Sequence, residues 1–175
     1  MAAFHGKTGN LNAAKDLAPY FADVSDATGT EMTTIGELAG EAYRQAFTEG
    51  LRGGDAIDAV KKIVGMMAGQ AASGTIEMKD YAQVGSKILS ASSGYAGNYV
   101  DVANSVSAIA QMSTLGGAAG APEAATAVQR MKKTLIKGSS ADKAWGMAGI
   151  NVWADEGKTK LRDPAQLMFE AVAAS

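Results

Sequence analysis

Glycine punctuates this chain at short intervals, and the spacing leaves room for short helices and little else. Breaks fall at Gly29, Gly50, Gly53, Gly54, Gly74, Gly94, Gly116, Gly117 and Gly138. Between them apolar residues recur at intervals of three and four, the repeat of one helix face. The chain holds 21 Gly but only three Pro in 175 residues, against a typical glycine content of ~7%. That balance suits helices ended by glycine and packed through small side chains, not a loop-rich or disordered chain.

The same pattern sets approximate boundaries. A first helix is expected over Asn12–Ala27, with Leu17, Tyr20, Phe21 and Val24 on one side. Pro19 implies either a start near Ala18 or a kink. Thr30 is the expected cap of a helix over Glu31–Phe47, built on Ile35, Leu38, Ala39, Ala42 and Ala46. From Asp55 to Gly74, Ile57, Val60, Val64 and Met67 form the clearest amphipathic face. Thr75 is the expected cap of a helix to Ser90 that buries Met78, Tyr81, Gly85, Ile88 and Leu89. Further helices are expected over Asn98–Leu115 and over Pro122–Ile136, the latter burying Ala125, Val128, Met131 and Leu135. A short helix follows from Ser139 or Ser140 to Ala148, and another opens at Asp163-Pro164, with Asp163 as its cap. Between those two, Ile150, Val152 and Trp153 read as extended. Asp155, Glu156 and Gly157 read as a turn with Gly157 left-handed. The expectation is an all-α, single-domain bundle over 1–175 of seven to eight short helices, with at most one small β-hairpin near residues 150–161.

Composition narrows the chemistry. Aromatics are only 6%, so the core must come from Ala, Val, Ile, Leu and nine Met. Cysteine is absent and His5 is the single histidine, which removes disulfides, thiolate metal sites and imidazole clusters. No run approaches the ~18 apolar residues of a membrane span, and the N-terminus lacks a signal-peptide core. Gly6-Lys7-Thr8 and Gly157-Lys158-Thr159 lack the upstream glycine that a phosphate-cradling loop needs. Ser140-Ala141-Asp142-Lys143 spells S-x-x-K, but a helix cap at Ser140 with a solvated Lys143 explains the same letters. Carboxylates are scattered singly. The expectation is therefore no enzyme, no catalytic residue, no metal site and no cofactor. Close packing through Gly and Ala is also expected to leave little room for a small-molecule ligand.

The formal net charge of −2 conceals an asymmetry. Residues 1–129 carry −5, residues 130–162 carry +5, and the remainder −2. Arg130, Lys133 and Lys137 fall at i, i+3 and i+7, opposite the apolar side of their helix. With Lys132, Lys143, Lys158, Lys160 and Arg162 they form a candidate interaction face for phosphates or an acidic protein wall. An ordinary solvated face is the alternative. Trp145 and Trp153 flank Gly149 and are expected as buried anchors.

The stretch from Gly117 to Leu167 resembles the core segment of phage tail tape measure proteins. It shares a Gly/Ala-rich lead with Pro122 to Thr126 and an apolar-plus-basic helix. It also shares the run Gly149-Ile150-x-Val152, Asp155-x-Gly157-Lys158, Leu161-Arg162-Asp163. Upstream, Ile35-Gly36-Glu37-Leu38-Ala39 and Ile76-Glu77-Met78-Lys79-Asp80 are similar to the family's helix pairs. The resemblance implies a structural virion protein, made in the bacterial host cytoplasm and carried in the phage tail. Such proteins template tail tube assembly, set tail length and leave ahead of DNA at ejection. The implied partners are tail tube or tail-tip proteins, further copies of the chain, and DNA by non-specific contact. Family members are usually much longer. One continuous helix of this length would reach only ~260 Å at 1.5 Å per residue, so the chain reads as the compact core of a longer tape. The alternative is a free-standing helical binding or scaffold module without enzymatic activity.

Overall fold

The computed structural model of the chain describes residues 1–136 and 145–174. Eight helices run through them: α1 (Ala2–Thr8), α2 (Leu11–Thr28), α3 (Met32–Thr48), α4 (Gly53–Ser73), α5 (Met78–Ser92), α6 (Tyr99–Leu115), α7 (Ala121–Leu135) and α8 (Pro164–Ala173). Residues 145–147 are helical as well. The fold is all-α, as the periodicity implied. The expected hairpin shrinks to one antiparallel bridge, Trp153 with Leu161, beside a parallel bridge from Leu161 to Tyr95. The S-x-x-K tetrad, Lys137 and Lys143 lie outside the described residues.

Local chemistry explains three of the helix starts. Asn10 caps α2 by accepting from the Ala13 N–H at 3.0 Å, and Asn98 caps α6 by accepting from the Val100 N–H at 2.9 Å. Asp163 caps α8, accepting from the N–H groups of Ala165 and Gln166 at 3.0 Å each, with Pro164 following where no N–H is needed. α2 is continuous across Pro19, which is exposed. The missing N–H orphans only the Lys15 carbonyl, and Lys15 faces solvent.

Thr30 and Thr75 are not caps. α3 and α5 begin after Glu31 and Glu77, neither with a capping side chain. Thr30 is buried, its carbonyl accepting from Ser25 Oγ at 2.7 Å. At the second joint a residue from another helix holds the linker between α4 and α5 instead. Gln111 of α6 accepts from the N–H groups of Thr75 and Ile76 at 2.9 and 3.0 Å, and donates to the Ile76 carbonyl at 3.0 Å.

The helix α1 was not expected, because its seven residues hold little apolar pattern. Its one deep anchor is Phe4, fully buried, with ring centroids 5.9 Å from Phe21 and 5.4 Å from Tyr43. α3 receives α1 on Gly36 and Gly40. A Cβ at Gly40 would stand 3.0 Å from Lys7 Cβ, and one at Gly36 would stand 3.6 Å from the Phe4 nitrogen. Small residues there let the two backbones approach.

The bundle is layered in chain order. α2 packs on α1, α3 and α4; α3 crosses α5; α5 and α6 carry α7; and α6 carries α8. The α3–α5 crossing is close because Gly85 lies under Leu38 Cδ1, where any Cβ would collide. Leu17, Phe21, Ile35, Ile63, Met67, Tyr81, Ile88 and Leu89 are fully buried around it. No helix of the described residues is long and apolar enough to cross a membrane.

Candidate functional site

The segment after residue 145 is held by short backbone ladders. The Ala154 N–H donates to the Lys160 carbonyl at 2.9 Å, and the Arg162 N–H donates to the Val152 carbonyl at 3.0 Å. On its other side the Leu161 N–H donates to the Gly94 carbonyl at 2.9 Å, while the Ala96 N–H donates to the Leu161 carbonyl at 2.7 Å. Leu161 is therefore stitched to both Trp153 and Tyr95, and its side chain is buried. Tyr95, buried in the α5–α6 joint, was not marked by any helical spacing. Only the tertiary pairing reveals it.

The turn within this ladder is organised by Asp155. Its carboxylate accepts from the Thr159 N–H at 3.1 Å, Thr159 Oγ1 at 2.8 Å and the Lys160 N–H at 2.9 Å. The Lys160 amide, then the Thr159 hydroxyl, hold this carboxyl below its ordinary range by stabilising the anion. The left-handed residue of the turn is Lys158, with φ 53°, not Gly157. What constrains Gly157 is space, since a Cβ there would stand 3.2 Å from Asp155 Oδ2. Upstream, Gly149 does take the left-handed form, φ 73°, where the chain leaves the short helical piece at residues 145–147. The polar turn is thus held by its own carboxylate, whose oxygens accept from two backbone N–H groups and a hydroxyl.

The candidate basic face loses several members. Arg162 donates in bidentate fashion to Glu170 of α8 at 2.9 and 2.5 Å and also to the Asn151 carbonyl at 2.8 Å. This fork raises the Arg162 pKa and lowers that of Glu170, so Arg162 joins the turn to α8 and projects no net charge. Lys132 donates to the Ser90 carbonyl at 3.1 Å, at the C-terminal end of α5, where a cation meets the negative end of the helix dipole. Burial lowers its pKa. Lys158 is likewise engaged. Arg130 and Lys133 remain, both exposed on the outer side of α7 and without an ion pair among the described residues. Lys160 is exposed on the turn. The surface left is therefore a short stripe on α7 rather than a broad plate. An open depression of about 530 Å³ lies along it, lined by Arg130, Lys133, Thr134 and Ile136.

Both tryptophans are half-buried, packed against the core at one side and lining a shallow depression of about 340 Å³ at the other. They are anchors with one wet face. The expectation of little cavity space needs correction. A groove of about 580 Å³ opens between the ends of α2, α4 and α5, within the range of ~300–1,000 Å³ usual for ligand clefts. Helix ends that splay around Ala68, Gly69 and Ala72 leave it open. Its two charged rim residues, Glu77 and Lys79, pair with each other at 2.7 Å, so few polar groups converge inside it.

No protein-family model matches this chain, and neither does any curated protein or solved structure. The geometry offers an exposed basic stripe on α7 and a C-terminal clamp around Leu161. Groups of three or more candidate metal ligands are absent among the described residues.

Proposed function

We propose that the chain is the compact core portion of a phage tail tape measure protein. In this reading it is a structural component of the virion that docks on tail tube or tail-tip proteins. It takes part in tube assembly, tail-length control and DNA ejection. The observation that carries the reading is the run from Gly149 to Asp163. Its family-like letters coincide with one folded unit: a left-handed Gly149, the Leu161 ladders, the Asp155 turn and the Asp163 cap. Within this run Gly149, Val152, Asp155, Lys158, Leu161, Arg162 and Asp163 each hold a definite place in the backbone turn, its ladders or its cap, which is how a sequence signature without side-chain chemistry arises. The exposed pair Arg130 and Lys133 supplies the charge for docking against an acidic surface by screened contacts.

The test is genetic and structural. In a phage that encodes this chain, deleting it should leave particles without normal tails or unable to eject DNA. Its density should lie within the tail tube or at the tip. Fully infectious particles after the deletion, or density outside both places, would remove the assignment.

A further inference from the structure

The α7 stripe has a counterpart at the far side of the same molecule. On the outer face of α2, Asp16, Asp23 and Asp26 follow one another at i, i+7 and i+10, a single helical stripe, and all three are exposed. With Glu31 and Glu37, also exposed, they outnumber the neighbouring Lys7 and Lys15 by three. None is held in an ion pair with a described residue. Two layers, α3 with α4 and α5 with α6, separate this face from α7. Apart from Glu37, already counted on that face, the intervening α3–α4 layer balances its charges: Glu41, Glu49, Asp55 and Asp58 against Arg44, Arg52, Lys61 and Lys62. The charge separation along the sequence is therefore also a separation in space.

We propose that copies of this chain associate head to tail, with α7 of one copy seated on α2 of the next. Arg130 and Lys133 are spaced i, i+3, and so are Asp23 and Asp26, so the cations and carboxylates can meet with matching pitch. Because the two surfaces differ, the contact is heterologous: it leaves one acidic and one basic face unfilled and propagates, unless rotation closes it into a ring. Exposed ion pairs are individually weak, about 0–1 kcal/mol. The association should accordingly be strongly salt-dependent and concentration-dependent. This inference rests on the docking role given above to α7, not on the tail assignment, and it is read in solution without any phage.

Sedimentation velocity and light scattering of the full chain decide it. At about 10 mM ionic strength, where the Debye length is ~30 Å, the average mass should rise with concentration beyond that of a monomer. At about 1 M salt, where it is ~3 Å, the chain should return to monomer. R130E/K133E and D23K/D26K should each be monomeric alone, with circular dichroism like the parent. Mixed, they should associate again, because the acidic α7 of one variant then meets the basic α2 of the other. The single chain carrying all four reversals should also self-associate. Monomeric parent protein at low salt would overturn the proposal, as would reversal variants that associate as well as the parent or a mixture that fails to recover. Low-salt binding of duplex DNA by a monomer, lost in R130E/K133E, would assign the α7 stripe to nucleic acid instead.

Discussion

Replacing Gln111 by Ala tests how this bundle satisfies a joint that has no capping residue of its own. The Gln111 amide serves the N–H groups of Thr75 and Ile76 and the carbonyl of Ile76. Ile76 is only 1% exposed, so its N–H and C=O are lost to solvent once the amide is gone. An orphaned buried backbone group costs about 1–3 kcal/mol. Two such groups would set a ceiling near 6, but a depression of about 310 Å³ borders the site and admits water to part of it. A net loss of about 2–3 kcal/mol follows, which for a chain of this size lowers the melting midpoint by about 4–12 °C. Calorimetry on Q111A measures it. Gln111→Glu refines the test, since the second oxygen of a carboxylate would face the Ile76 carbonyl. Compared with the parent at equal pH, Q111E should be destabilised at pH 7 and recover as its carboxyl is protonated. A Q111A variant within about 0.5 kcal/mol of the parent, the range of neutral surface changes, would refute this account of the joint.

Gly149→Ala should cost about 1 kcal/mol for forcing a side chain into the left-handed region, while Gly157→Ala should cost less, because Asp155 can yield by a few tenths of an ångström; equal losses in a denaturant titration would contradict the assigned backbone conformations. Asp155 and Glu170 both have lowered pKa values. Their contribution to stability is therefore present above the unfolded values near 4 and lost as pH falls through the folded ones. D155N and E170Q should each flatten the acid limb of the stability–pH curve; an unchanged limb would mean these contacts do not persist in solution. Leu161→Ala should destabilise by about 2–5 kcal/mol, the usual range for a buried leucine, and amide exchange should then quicken at Ala96, Ala154 and Arg162 before it quickens in α3.

The sequence disclosed what depends on neighbours along the chain and concealed what depends on neighbours in space. Helix periodicity located six of the eight described helices, because Val60, Val64 and Met67, or Ile88 and Leu89, must share a face, and the Asp163-Pro164 start located α8. It passed over α1, where a single Phe4 does the anchoring through Phe21 and Tyr43, distant in sequence. Asp163 was legible as a cap because the residues it bonds follow at once. Thr75 misled because a hydroxyl before a helix is the common local solution, whereas here α5 starts after Glu77 and the Thr75 amide is held by Gln111. The basic face was legible as charge, but the pairing of Arg162 with Glu170 and the seat of Lys132 on Ser90 are tertiary facts. Glycine suggested a left-handed turn at residue 157; the carboxylate of Asp155 instead closes the turn around a left-handed Lys158.

The clamp at Leu161 also fixes an order of events. Tyr95 and Leu161 are far apart in the chain, and their bridge closes a loop that contains α6 and α7. Closing such a loop brings no reward until the α5–α6 joint that presents Gly94 and Ala96 is already in place. The segment from residue 150 onward should therefore be the last part to dock during folding. For the same reason it should be the first to come away, as a cooperative unit that leaves the α3–α5 crossing intact. A partner that grips α8 would meet a piece able to detach while the rest of the bundle stays folded.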